Sequence, residues 1–233
     1  DITAFREAEA HARYLATHDT LSGLANRFLL KQRIDALLSA AGPRDRCSLL
    51  IVDLDMFKQV NDAYGHPAGD ELILAFGKRL VTLVRASDPV ARLGGDEFAV
   101  LLPGLSARSA LDTLCTRILD AARAPFEVAG VTVHVDASIG VVSERAREAS
   151  HSEILRKADV ALYSAKAAGR GCYRIYAAAM DEGRSARLAM ECDLREAIDA
   201  NAGFEAEYQP LYSGTAIFGV ESLLRWRHPR LGL

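Results

Sequence analysis

The stretch VRASDPVARLGGDEFAVLLP, from Val84 to Pro103, holds two short apolar runs separated by two glycines and two acids. Glycine readily adopts the positive φ angles of tight turns, so the pattern predicts a β-hairpin with Gly94, Gly95 and Asp96 at its turn. Glu97 follows at the start of the second strand. The hairpin therefore presents two carboxylates at one end of a predicted sheet.

An earlier apolar run, CSLLIVDLD, predicts a strand buried on both faces that ends at Asp55. If the hairpin pairs beside this strand, Asp53, Asp96 and Glu97 converge where ligands of open α/β sheets gather. Carboxylate oxygens suit Mg²⁺ or Mn²⁺, especially when a triphosphate completes the coordination shell. The alternative is a solvated turn, with Asp55 acting only as the N-cap of a helix that starts at Phe57.

Helical and extended patterns alternate around this hairpin. Six helices are predicted: the first 16 residues, the apolar repeat from Phe28 to Leu38, MFKQVNDAYG, Asp70–Arg85 (stopped by Pro89), SARSALDTLCTRILDAARA and SEILRKADVALYSAKAAG. Two further segments, PFEVAG and VTVHVDASIGVVS, are expected to pair as strands. A last strand is predicted for GCYRIY. The order predicts an α/β fold of the α+β type, with a central mixed, mainly antiparallel sheet flanked by helices.

The pattern changes after Tyr176. A long charged helix is predicted to end at Gly203, and FEAEYQPLYS and AIFGVESLLRW are two further strand-like runs. About fifty residues are too few to complete a second domain of ordinary size. We expect a linker helix over residues 1–17, one α/β domain over 18–178, and the incomplete start of another domain over 179–233.

Composition narrows the function classes. The net charge of −3 provides no broad basic surface, so we expect contact with neither nucleic acid nor membrane. The four cysteines form no CxxC pair, which indicates reduced thiols. No apolar run reaches the roughly 18 residues of a membrane span, and no signal peptide is visible. We expect a cytoplasmic chain and, because it begins at Asp1 rather than Met, an upstream region that serves as sensor or membrane anchor.

Some polar residues suit a nucleotide, although the P-loop motif is absent from the sequence. Lys166 and Arg170 face the same way near a helix end, as triphosphate ligands would. Asn61 and Asp70 carry an amide and a carboxylate that can bond the Watson–Crick edge of guanine. Taken singly, such residues are more often solvated cations, turn residues or helix caps.

Arg85 and Asp88 lie three residues apart at the predicted end of a helix. Alone, such residues are more often a surface ion pair. An arginine can also donate two bonds to guanine O6 and N7, while the aspartate accepts from guanine N–H groups.

The motifs together resemble those of GGDEF-domain diguanylate cyclases. Gly94 to Phe98 is the signature pentapeptide. Further blocks of the family are matched, in order, by HDTLSGLANR, VDLDMFKQVNDAYGHPAGD, ASIGV and ADVALYSAKAAGRG, with Ser22 in place of the usual threonine. The resemblance covers roughly residues 15 to 176. It implies a nucleotidyl-cyclase or polymerase-palm-like fold.

The resemblance also implies a reaction and its residues. Two GTP molecules condense to cyclic di-GMP and two pyrophosphates across a homodimer, with Mg²⁺ or Mn²⁺, two ions per site. The implied metal ligands are Asp53, the Leu54 carbonyl and Asp96, and Glu97 joins the metal site or the proton chemistry. Gly94 and Gly95, implied to be catalytic together with Asp96 and Glu97, admit the phosphates of GTP. The residues implied to bind GTP are Asn61, Asp70, Phe57, Lys58, Lys166 and Arg170. Arg85 and Asp88 resemble the family's R-x-x-D site for inhibition by the product, to which Arg117 of a neighbouring subunit would be a further contributor.

The tail resembles the beginning of an EAL-type cyclic di-GMP phosphodiesterase, a (β/α)₈ barrel. Glu221-Ser222-Leu223 stands where the family has E-A-L, and Gln209 and Arg225 match substrate-contacting positions. Two strands cannot close a barrel, so we expect no phosphodiesterase activity from this chain. Two alternatives stay open for the GGDEF part: a catalytically silent module that binds GTP or cyclic di-GMP to regulate an EAL domain, and another nucleotidyl cyclase or polymerase-like palm.

Overall fold

The computed structural model describes residues 2–230 and residue 232. It divides into two compact units, Asp1–Met180 and Asp181–Leu233, which are treated separately below. Asp1, Leu231 and Leu233 belong to the predicted terminal segments but lie outside the described residues.

The first unit alternates helices and strands. Its elements are α1 (Ile2–Thr17), α2 (Arg27–Ala40), β1 (Arg46–Asp55), α3 (Phe57–Tyr64), α4 (His66–Leu83), β2 (Val90–Gly94), β3 (Glu97–Pro103), α5 (Arg108–Arg123), β4 (Phe126–Val128), β5 (Val131–Val133), β6 (Asp136–Arg145), a 3₁₀ turn (Ala146–Glu148), α6 (His151–Ala167) and β7 (Tyr173–Ile175). The last helix, α7 (Ala179–Asp199), begins at the end of this unit.

The central sheet has the strand order β2-β3-β1-β6-β7. All neighbours are antiparallel except β6 and β7, which are parallel. The predicted hairpin is confirmed as β2 and β3, and β3 pairs beside β1 so that Glu97 is the register partner of Asp53. The mixed, mainly antiparallel sheet with flanking helices is therefore also confirmed.

Each face of the sheet buries its own apolar cluster. On one face, Leu50, Val52 and Phe98 pack with residues of α4 and α5. On the other, Leu49 and Ile51 pack with residues of α2 and α6. Because side chains alternate between faces along a strand, the odd-numbered residues that follow Ile51 point toward the α2 and α6 side.

Three predicted boundaries are wrong. Helix α4 begins at His66 rather than Asp70, because Pro67 is tolerated in the first turn of a helix, and it ends at Leu83, well before Pro89. The run VTVHVDASIGVVS forms two strands instead of one: β5 pairs with β4 in a separate two-stranded sheet, while β6 pairs with β1.

The second unit contains most of α7 and the strands β8 (Phe204–Ser213) and β9 (Ala216–Trp226), which form an antiparallel hairpin. Both strands match the predicted runs. Within the described residues, no (β/α)₈ barrel is formed, because the only sheet of this unit there is the hairpin itself. Across residues 2–230, no helix has both the length and the apolar character needed to cross a membrane.

Candidate active site

Acidic side chains collect at the carboxyl end of β1. Asp53 and Asp55 continue the odd-numbered side of β1, and Glu97 continues the same side of β3, so all three lie on the α2 and α6 face. Both aspartates are buried, with 6% and 5% of their surface exposed. Buried carboxylates require partners.

Lys166, at the end of α6, is the partner of Asp53. Its Nζ lies 2.6 Å from Asp53 Oδ2, and the two side chains are 33% and 8% exposed. Burial raises the pKa of Asp53 to about 6 against the opposing hydrogen bond from Lys166, and the charges of Asp96 and Asp55 also raise it. The strand end therefore holds a carboxylate whose burial outweighs the stabilising effect of the adjacent Lys166 ammonium.

Asp55 does not cap α3. Its carboxylate accepts hydrogen bonds from the Ser138 hydroxyl at 2.9 Å and from the Gly171 backbone N–H at 3.0 Å. The Arg170 Nε lies 3.8 Å from it. Met56, which has no oxygen with which to cap, occupies the N-cap of α3 in a left-handed conformation, with φ of 61°. The interpretation of Asp55 as a simple helix cap is wrong because Asp55 connects β1 to the loop after α6.

The turn of the hairpin is open on its outer side. Gly94 and Gly95 have φ angles of 139° and 53°, and a Cβ on either would meet no described atom within 4 Å. Arg92 fixes the inner side: its Nε and Nη2 donate to the Gly95 carbonyl at 2.9 and 2.8 Å, and its Nη1 donates to Asp19 at 3.0 Å. Asp19 also accepts from the Ser22 backbone and hydroxyl, both at 2.7 Å.

Arg92 and Asp19 were missed as site residues. Asp19 lies inside a motif that identified the family and Arg92 lies two residues before the signature pentapeptide, but only the fold shows that Arg92 joins the turn to the segment following α1. Arg27, the first residue of α2, was missed for the same reason: its Nη2 lies 3.9 Å from Glu97 Oε2, with both side chains well exposed. This distance is at the limit of an ion pair.

Asp53, Asp96 and Glu97 lie at the same end of the sheet, but they are not arranged as a ready metal site. Among residues 2–230 and 232, no group of three or more His, Cys, Asp or Glu side chains is arranged to hold a metal ion. Lys166 already engages an oxygen of Asp53. Asp96 is joined to the strand end through its backbone, since its carbonyl accepts from the Leu54 N–H at 3.3 Å. Metal binding by these residues stays a prediction.

The two guanine-reading candidates lie where α3 meets α4. Asn61 is in α3 and Asp70 is in the first turns of α4. Gly69, which precedes Asp70 in α4, faces the Asn61 amide. Phe57 is half-buried and packs against the apolar cluster of α4 and α5, whereas Lys58 is exposed at the start of α3. The helices thus bring the Asn61 side chain against Gly69, the residue that precedes Asp70 in sequence.

Arg85 and Asp88 lie in a turn after α4, not in its last helical turn as predicted. Helix α4 ends at Leu83, and the Asp88 carboxylate accepts from the backbone N–H of Arg85 at 3.1 Å, which leaves the exposed guanidinium of Arg85 free to turn outward. Both residues line a cavity of about 420 Å³, to which α5 contributes Arg117.

A larger cavity, of about 750 Å³, opens beside Asp55. Its lining includes Met56 and Arg170, whose φ angles of 61° and 65° are unusual for residues other than glycine. Arg170 thus lies at the border between this cavity and the carboxylates of β1.

In the second unit, Gln209 and Glu221 are direct register partners across β8 and β9. Arg225 lies on the same face of the hairpin as Glu221 because the two are an even number of residues apart along β9. The Arg225 Nε donates to Glu207 Oε2 at 2.8 Å. The three predicted residues therefore share one face.

The fold and the site define a mixed α/β domain with carboxylates, cations and an open glycine turn at one sheet end. Residues 16–172 match the family described as Diguanylate cyclase, GGDEF domain, and the chain belongs to this family.

Relatives and solved structures agree with this assignment. The chain is 37% identical over 99% of its length to the bifunctional diguanylate cyclase/cyclic di-GMP phosphodiesterase MucR of Pseudomonas aeruginosa, and 34% identical over its whole length to the cyclic di-GMP phosphodiesterase PdeR of Escherichia coli. It spans 34% and 35% of these relatives' lengths, about a third.

Among solved structures, the GGDEF domain of TpbB (YfiN) from Pseudomonas aeruginosa is 34% identical, with a TM-score of 0.68, over 72% of this chain and 99% of that one. The coiled coil and GGDEF domain of DgcB from Caulobacter crescentus, solved in complex with c-di-GMP, is 27% identical, with a TM-score of 0.68, over 76% of this chain and 93% of that one.

Proposed function

We propose that this domain condenses two molecules of GTP into cyclic di-GMP and two molecules of pyrophosphate. The observation that carries the proposal is the assembly of Asp53, Glu97 and Lys166 at one sheet end beside the open Gly94–Gly95 turn. In the reaction, each ribose 3′-hydroxyl loses its proton and its oxygen attacks the α-phosphorus of the other GTP. The bond from that phosphorus to the bridging oxygen breaks, and pyrophosphate leaves.

The residues present suit a divalent cation. Asp96 is near enough to Asp53 for its charge to raise the pKa of Asp53, and the Lys166 ammonium already shows that the Asp53 carboxylate attracts a cation. We propose that Asp53, Asp96, Glu97 and the Leu54 carbonyl hold Mg²⁺ or Mn²⁺, two ions per site. A bound ion would supply neutralisation of phosphate charge and polarisation of the attacked phosphorus.

The surrounding groups suit the remainder of GTP. Lys166 and Arg170 lie beside the carboxylates, paired with Asp53 and Asp55 respectively. When these pairs open, the two cations would hold the terminal phosphates of GTP. The open backbone of Gly94 and Gly95 lets phosphate oxygens approach closely. Asn61 and Asp70 would read guanine, with Phe57 and Lys58 completing the site.

A homodimer follows from the chemistry of the proposed reaction. One domain provides one set of these residues and so holds one GTP, whereas two phosphodiester bonds form. Two domains that face each other would bring each 3′-hydroxyl to the α-phosphate bound by the partner, and positioning of this kind supplies a large part of the rate.

The turn that carries Arg85 and Asp88 supports a second proposal, feedback inhibition by cyclic di-GMP. The Arg85 guanidinium is exposed at the rim of a cavity that Arg117 also lines, and two arginines can pair with the phosphates and guanines of the product.

The tail supports a place within a tandem GGDEF–EAL protein. Gln209, Glu221 and Arg225 lie on one face of the β8–β9 hairpin. Two relatives that match both the tail and the GGDEF part have phosphodiesterase in their names. In such a protein the GGDEF domain would occupy residues 18–178. A silent regulatory module that binds GTP or cyclic di-GMP is the second candidate, favoured by the cavity beside Arg85 and Asp88.

The direct test is incubation of the chain with GTP, with and without Mg²⁺, and separation of the products by chromatography. We expect cyclic di-GMP only with the metal ion, and a loss of at least about 100-fold in Asp96→Asn, because a carboxylate is replaced by a neutral amide. Asp62→Asn, an exposed aspartate of α3, is the matched control. Tight GTP binding without product, also at high protein concentration, would favour the regulatory module.

A further inference from the structure

Gly69 is a buried residue of α4 that lies directly against the side chain of Asn61. A Cβ atom built on Gly69 would lie 2.0 Å from Asn61 Oδ1 and 3.0 Å from both Asn61 Cγ and Phe57 Cζ. Such separations are far below van der Waals contact. The Asn61 amide therefore occupies the space that any other residue at position 69 would need for its side chain.

Backbone conformation does not explain this glycine. Its φ lies outside the positive range in which glycine is favoured, because position 69 is an ordinary helical position within His66–Leu83. In the interior of a helix, glycine is less favourable than alanine by about 1 kcal/mol. What glycine provides at this position is the absence of a side chain beneath the Asn61 amide.

The group that a methyl would displace is the end of a flexible side chain. Asn61 Oδ1 and Cγ can move by rotation about the side-chain bonds without moving the backbone of α3. The added methyl would therefore change the direction of the amide far more than it would change the fold.

We infer that Gly69 is a specificity-determining position for the nucleotide base, acting as a positioning residue for Asn61. The inference rests on the proposed function, in which the Asn61 amide and the Asp70 carboxylate bond the Watson–Crick edge of guanine. On its Watson–Crick edge, guanine presents the O6 acceptor followed by the N1–H and N2–H donors. Adenine presents an N6–H donor followed by the N1 acceptor, so its donor and acceptor positions are exchanged. By leaving space for the Asn61 amide, Gly69 keeps that amide oriented so that it and the Asp70 carboxylate meet the same edge of the base.

The test compares the affinities of the full chain for GTP and ATP analogues with a methylene α,β-bridge, which cannot react, by calorimetry in the presence of Mg²⁺. For Gly69→Ala we expect the GTP analogue to bind about 10- to 100-fold more weakly, as for one or two lost hydrogen bonds, while the ATP analogue changes by less than about threefold. The preference for guanine falls accordingly.

Gly77→Ala is the matched control. It adds the same methyl two turns further along α4, where the nearest atoms are Leu24 Cδ1 at 3.3 Å and Phe98 Cε1 at 3.4 Å, and Asn61 is not among the close neighbours. We expect its ratio of GTP to ATP affinity to equal that of the unmodified chain. Circular dichroism of each variant reports whether the fold is retained.

Asn61→Ala closes a double-mutant cycle. If Gly69 acts through Asn61, Gly69→Ala causes no further loss when added to Asn61→Ala. Additive losses, or an unchanged GTP-to-ATP ratio in Gly69→Ala, would overturn the inference. So would unfolding of Gly69→Ala with recovery of the fold in the double variant, because that result assigns Gly69 to stability alone.

The outcome is separable from that of the proposed reaction. An unmodified chain that prefers the GTP analogue but makes no cyclic di-GMP overturns the cyclase and leaves the role of Gly69 intact. An unmodified chain that binds the two analogues equally overturns the role of Gly69.

Discussion

At the scale of single residues, the site depends on a few specific contacts that individual side chains make. Lys166 pairs with Asp53, Arg92 supports the Gly95 carbonyl, and Asn61 lies on Gly69. The residue types were predictable from strand ends and motif spacing. Which atoms meet was not predictable, because the contacts depend on how α6 packs on β1, on the geometry of the hairpin turn and on how α3 packs on α4.

Arg85 provides a prediction at this scale. Arg85→Ala should relieve inhibition by cyclic di-GMP by at least about 10-fold in the inhibition constant, because a charge-assisted hydrogen-bond donor to the product is lost. The initial rate with GTP should change by less than about twofold. Initial rates at increasing product concentrations measure both. Arg44→Ala, an exposed loop arginine, should behave like the unmodified chain; inhibition of Arg85→Ala at the original concentration would refute the assigned role.

Asp19 provides a pH-dependent prediction. Burial opposes its ionisation, but hydrogen bonds from Ser22 and Arg92 outweigh burial and hold the pKa of Asp19 below its ordinary value. A carboxylate with a lowered folded-state pKa stabilises the fold above its unfolded pKa of about 4, and this contribution disappears as the pH falls through the folded pKa. Asp19→Asn should therefore lower the melting temperature at pH 7, with the difference shrinking toward pH 3.

Thermal unfolding at the two pH values measures this effect. Asp62→Asn serves as the control, and its melting temperature should follow that of the unmodified chain at both pH values. A difference between Asp19→Asn and the unmodified chain that stays constant from pH 7 to pH 3 would show that the Asp19 carboxylate contributes through its shape rather than through its charge.

At the scale of elements, helix α6 carries Lys166, leads into the loop that holds Arg170, and packs closely against β6. A Cβ on Gly140 of β6 would lie 2.1 Å from the Ala158 carbonyl oxygen and 2.3 Å from the Leu162 nitrogen, both backbone atoms of α6. Unlike Asn61 above Gly69, a helix backbone cannot rotate away. Gly140 therefore permits the close packing of α6 on the sheet from which Lys166 reaches Asp53.

Gly140→Ala should consequently be severely destabilising. We expect a loss of about 3 kcal/mol in the free energy of unfolding, the cost of overpacking against a rigid backbone, together with reduced GTP turnover because Lys166 and Arg170 move with α6. Denaturant unfolding provides the measurement. Gly183→Ala, a glycine of α7 with open space at the Cβ position, should not be destabilised. Equal stability of the two variants would contradict this account.

The elements also show what the sequence can and cannot predict. The buried strand, the glycine hairpin and the two tail strands were predictable because each has an apolar run with a clear end. The division of VTVHVDASIGVVS was not, because its alternation continues through His134 and Val135 while its two halves pair with different strands. The start of α4 was obscured by Pro67 and Gly69, which suggest a turn although both are accommodated in the helix.

At the scale of the whole molecule, the proposed reaction requires two GGDEF domains. One domain presents one open glycine turn and one Asp53–Lys166 pair, and the bound GTP would face outward over the exposed Gly94 and Gly95. The rate per chain should therefore rise with protein concentration until the dimer is saturated.

The most direct measurement is a time course of GTP consumption with Mg²⁺ at several protein concentrations, in which cyclic di-GMP and pyrophosphate are both quantified. The account predicts two GTP consumed and two pyrophosphates released for each cyclic di-GMP formed, with a rate per chain that increases with concentration. Absence of cyclic di-GMP at every concentration, or a rate per chain independent of concentration down to nanomolar protein, would contradict it.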